Sequence, residues 1–172
     1  MAPTNPQPER WLRGPVEGIP PLLMPAAHAF LQTLDDIEAA VRDLTNEQLW
    51  LTPGGAASIG FHLMHLSGST DRLLTYARGE RLTDAQKAAA RAEAHPPVVD
   101  VATLLAGVRQ AFDAALAQLR ATQPSSLTEA RPVGRAELPA TVIGLLVHAA
   151  EHSQRHAGQI VTTAKIVRSL SC

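Results

Sequence analysis

The stretch His148-Ala-Ala-Glu-His152-Ser-Gln-Arg-His156-Ala-Gly-Gln-Ile160 decides how this chain is read. Three of the seven histidines lie in it, each four residues from the next. On a helix, residues four apart stand one turn above another on nearly the same face. The apolar residues around them keep that period: Val142, Leu145, Leu146, Ala149, Ile160, Ala164 and Val167 form one stripe. At about 100° per residue, His156 falls about 30° from the centre of the stripe, His152 about 70° and His148 about 110°. The spacing therefore predicts a helix from about residue 140 to 168 that turns His152 and His156 inward and leaves His148 at the edge.

Two inward imidazoles each need a polar partner inside an apolar bundle. One reading has them hydrogen-bonded to neighbouring helices as satisfied core residues. The other has both closed on a single metal ion, with a third ligand from elsewhere. His62 and His65, in Phe61-His62-Leu63-Met64-His65-Leu66, are the candidates. Projection alone prefers His62, nearer the middle of its stripe. His28 is a weaker candidate, and His95 beside Pro96 reads as exposed. Three histidines with one open position is the arrangement of catalytic zinc sites, whereas closed structural sites take four protein ligands.

The rest of the chain supplies the partners for that helix. It has 172 residues, 45% hydrophobic and 3% aromatic, so its core is built from Leu, Ala, Val and Ile, a composition that favours helix. Residues 1–19 read as a flexible arm, with Trp11 and Leu12 pinning it to a domain spanning 20–170. A first long helix is predicted over about 22–44. A second starts after the N-cap Ser58 and stops at Gly79. Thr83 caps a short charged helix to about Glu93, closed by Pro96 and Pro97, and a third long helix covers about 100–122. The segments 45–57 and 123–139 read as connections, without an alternating strand pattern. The fold class is all-α: a four-helix bundle with a short extra helix between its second and third members.

Several function classes drop out. The net charge is -1, with no basic tract, which argues against nucleic-acid binding. The Pro-rich start does not read as a signal peptide, and no run of about 18 apolar residues suggests a membrane span. A cytoplasmic protein is expected. The one cysteine, Cys172, excludes an intrachain disulfide and a thiolate zinc site. No Ser-His-Asp arrangement, phosphate-cradling Gly loop or His-Glu-x-x-His motif is present. Glu151 projects away from the apolar stripe and is not assigned as a base. Arg135 and Tyr76 could contact a substrate, although a solvated arginine and a packed tyrosine are the simpler readings.

Ser58-Ile-Gly-Phe-His-Leu-Met-His65-Leu followed by the segment from His148 to Ile160, on the second and fourth long helices, resembles the DinB/YfiT-like superfamily over residues 20–168. The resemblance implies a divalent metal, zinc or nickel, on His65, His152 and His156. It selects His65 over His62 because His65 directly precedes Leu66-Ser67-Gly68-Ser69. His62 and His148 then become supporting or pocket residues. Similar proteins are homodimers and include bacillithiol- and mycothiol-dependent S-transferases. The resemblance thus implies a metalloenzyme acting on a small-molecule substrate, with a low-molecular-weight thiol as co-substrate, or with water in a hydrolase. The alternative is a non-catalytic, stress-response protein that binds a metal or ligand.

Overall fold

In a computed structural model, which describes residues 7–170, the chain forms a helical bundle with one small β-hairpin. The ends of the expected arm (residues 1–6) and of the chain (Cys172 included) lie outside the described residues. The long helices are α1 (Met24–Val41), α3 (Ile59–Ala77), α5 (Val101–Ala121) and α6 (Val142–Leu170). Between them stand the short helices α2 (Asn46–Trp50) and α4 (Asp84–Ala92) and the strands β1 (Ala130–Val133) and β2 (Leu138–Thr141). Helix α1 packs beside α5 and α6, and α3 packs beside the same two, so α1 lies diagonally across the bundle from α3.

Local chemistry sets the boundaries. Ser58, Thr83 and Asp100 each accept a hydrogen bond from the amide three residues on, at Phe61, Gln86 and Thr103. Each thereby satisfies one of the amides that a helix leaves unpaired at its start. The first long helix is shorter than its spacing suggests, because Pro20 and Pro21 open a 3-10 turn over Pro21–Leu23 and Arg42 turns extended after Val41. Arg168 donates to the carbonyls of Ala40 and Arg42, at 2.8 and 2.7 Å, closing the end of α1 onto α6. Phe30 of α1 and Phe112 of α5 meet with ring centroids 5.0 Å apart. Leucine, isoleucine, valine and alanine fill the rest of the core.

Three expectations are corrected. Residues 45–57 are not a plain break: Thr45 and Gln48 form a reciprocal capping box that starts α2. Residues 123–139 are not a plain connection: β1 and β2 pair antiparallel, Ala130 opposite Thr141 and Pro132 opposite Pro139. Trp11 and Leu12 do not pin the arm, being 61% and 57% exposed. Arg10 does so instead, through two 2.6 Å bonds to Asp35 and a backbone bond to Gln32. No helix among the described residues is long and apolar enough to cross a membrane.

Trp50 shows how tightly the short helix is seated. Its indole Nε1 donates to the Val99 carbonyl at 3.0 Å, and its ring lies over Gly60, where a Cβ atom would come within 2.8 Å. Gly60→Ala is therefore expected to destabilise the fold by about 1–3 kcal/mol through overpacking. The check is the urea unfolding midpoint at unchanged m-value.

Candidate metal centre

The histidines of α3 and α6 face one another. His65 Nε2 lies 3.0 Å from His152 Nε2, and His62 Nδ1 lies 2.9 Å from His156 Nδ1, so the two helices run antiparallel at this point. The rings of His65, His152 and His156 are mutual neighbours, with centroids 4.5–5.2 Å apart. One nitrogen from each of these three lies within 4.8 Å of the others. Two imidazole nitrogens held tetrahedrally at 2.0–2.1 Å from one ion are about 3.3 Å apart, so the donors need only small side-chain adjustments to share it. Three imidazole nitrogen donors also suit a divalent transition metal chemically. The residues fit a divalent metal.

His65 is held from behind. Its Nδ1 lies 2.7 Å from Glu93 Oε2, and the other carboxylate oxygen accepts from Arg72 at 2.7 Å. Glu93 caps the C-terminal end of α4, and its side chain is only 13% exposed. Gly68 makes room for this pair, since a Cβ there would come within 2.8 Å of Glu93 and 2.9 Å of Arg72. A carboxylate on one imidazole nitrogen fixes the ring and directs the other nitrogen outward as a ligand. Reading the sequence missed Glu93 and Arg72. The only signal was an acidic residue ending a short helix near the predicted site.

The other candidates separate clearly. His62 is 5% exposed and stands outside the three-nitrogen group, with its ring against His156. His148 is exposed and pairs with Glu151 at 3.2 Å, its ring 5.6 Å from that of His152. Glu151 also bonds Arg155 on the outer face of α6. His28 contacts the Gly14 carbonyl far along the chain from these imidazoles, and His95 is exposed. Tyr76 and Arg135 line a common cleft, the tyrosine half-buried and the arginine exposed.

Burial, and then the neighbouring imidazoles, push His152 and His156 from 6.5 down to about 4. Burial and the nearby His65 also lower His62. All three are therefore neutral at pH 7, and a neutral imidazole is the metal-binding form. Between pH 6.5 and about 4 the unfolded chain binds protons at His152 and His156 that the fold refuses, so stability falls as pH falls through this window. Metal-free protein is expected to lose urea resistance progressively from pH 6.5 to 4. His152→Ala/His156→Ala should flatten that profile, as read from unfolding midpoints at a series of pH values.

No curated protein matches the chain in sequence comparison. A family model described as the DinB superfamily matches residues 29–160, well over half of the chain, from within α1 to the end of the histidine stretch on α6. With the helical bundle and the three-histidine group on α3 and α6, this match fixes the family. The chain belongs to the DinB superfamily.

Proposed function

We propose that this protein is a metal-dependent enzyme, with zinc or nickel held by His65, His152 and His156, that transfers a thiol to a small substrate or hydrolyses it. The observation that carries the reading is the convergence of three imidazole nitrogens within 4.8 Å from two different helices, with Glu93 behind one of them. When bound, the ion supplies positive charge that acidifies a thiol or water and polarises the substrate. The chain does the rest. His152 and His156 are presented one turn apart by α6, and His65 is oriented by Glu93 and Arg72. His62 packs on His156 and helps exclude water from that side. No cysteine other than Cys172 exists, so a nucleophilic sulfur at the imidazoles is read as a separate low-molecular-weight thiol. The functional unit is taken to be residues 20–170, and a homodimer is part of the proposal.

The test compares chelator-treated protein with protein reloaded with zinc or nickel, using low-molecular-weight thiols against a panel of electrophiles and hydrolysable esters. Turnover that rises with metal content is expected. Turnover indifferent to metal would contradict the proposal, and a loaded protein silent with every pair would favour a non-catalytic metal-binding role.

A further inference from the structure

A second feature faces the same side of α3. Tyr76 lies eleven residues after His65, about three turns and about 16 Å along the helix, and so returns to the same face. There it lines a cleft of about 540 Å³ between α4 and the β-hairpin, together with Leu82. Arg81, Lys87, Arg91 and Arg135 line the same cleft, with Glu137 as the one acidic group among the lining residues. Elsewhere arginines are commonly matched with carboxylates, as Arg10 is with Asp35 and Arg109 with Glu38. Among the described residues, Arg81, Arg91 and Arg135 have no such partner, and Lys87 meets only the fully exposed Asp84. In a chain of net charge -1, this is a local concentration of cations in a cleft that also exposes an aromatic and an aliphatic side chain.

We propose that this cleft binds the anionic end of the substrate or co-substrate, a small organic molecule carrying carboxylate or phosphate groups on an apolar body. Planar guanidinium groups from two elements, Arg91 on α4 and Arg135 in the hairpin turn, suit such groups because each can donate two parallel hydrogen bonds. Tyr76 and Leu82 offer the apolar body a surface to cover. The cleft is connected to the imidazoles through α4: Arg91 sits in its last turn, two residues before the Glu93 that holds His65. Extended by about 16 Å along α3, the other end of an elongated ligand anchored in the cleft would reach the level of His65. This orientation rests on the metal-centre reading, whereas anion binding itself does not.

Calorimetric titration with phenyl phosphate and with phthalate, at low ionic strength, separates the two. Saturable binding to the full chain is expected, and whichever probe binds more tightly identifies phosphate or carboxylate as the preferred group. Arg91→Gln/Arg135→Gln should weaken binding about 10-fold or more, because two charge-assisted contacts are lost. Arg42→Gln/Lys165→Gln removes the same charge from exposed positions outside the cleft, and His152→Ala/His156→Ala removes the imidazole pair. Both should bind within about 2-fold of wild type, while the single variants Arg91→Gln and Arg135→Gln guard against a misfolded double variant. The proposal is overturned if neither probe binds, if both charge-removing variants weaken binding equally, or if only the histidine variant loses it. That last result would seat the anion on the imidazoles rather than in the cleft.

Discussion

His65→Ala is expected to lower metal affinity about 100-fold or more while leaving the bundle folded. The four ligands of structural zinc sites share about 10–16 kcal/mol, or about 3 kcal/mol each, and each 1.4 kcal/mol is tenfold in affinity. Removing His65 leaves only His152 and His156, two donors from one face of one helix, and cancels the convergence of α3 on α6. The side chain lies outside the buried core, so its loss opens no large cavity. Competition with a chromogenic chelator gives the affinity, and thermal unfolding of the metal-free protein confirms that the fold is unchanged. Full affinity in His65→Ala would assign the third ligand to another group, with His62 first in line because its ring packs on His156.

Glu93→Gln is expected to cost about 10–100-fold in metal affinity, the usual effect of removing a carboxylate that orients a ligating imidazole. Glutamine keeps the size of the side chain and can still accept a hydrogen bond from His65 Nδ1 through its carbonyl. What it loses is the negative charge that makes His65 a stronger donor and that balances Arg72 at 2.7 Å. The effect should therefore be mostly electrostatic. Arg72→Met removes the positive charge that offsets this carboxylate, so on the same electrostatic grounds it should not lower affinity, which separates the charge effect from mere loss of packing. A Glu93→Gln protein with wild-type affinity would reduce Glu93 to a structural contact between α4 and α3.

The contrast between His65 and Glu93 shows what the sequence could and could not carry. The long helices are legible because their apolar residues keep a 3.6-residue period, and Ser58, Thr83 and Asp100 announce the starts of α3, the short α4 and α5. The hairpin is not, since Pro132 and Pro139 stand opposite one another and proline ordinarily argues against a strand. Thr45 and Gln48 spell a capping box, but the helix they start is only five residues long and is soon followed by Pro53-Gly54-Gly55, so its pattern is masked by the break. Projection ranked His62 above His65 because it measures depth in the apolar stripe, and His62 is indeed the more buried of the two. A metal needs donors at the seam between helices, which depth does not report. Glu93 depends on how α4 lies across α3, a contact spanning 28 residues that no local pattern encodes.

The central claim is that His65, His152 and His156 hold one divalent ion, and metal content tests it most directly. Protein purified without a histidine tag should carry about one zinc or nickel per chain by elemental analysis, and His152→Ala/His156→Ala purified alongside should carry almost none. Equal, substoichiometric metal in the two proteins would contradict the account.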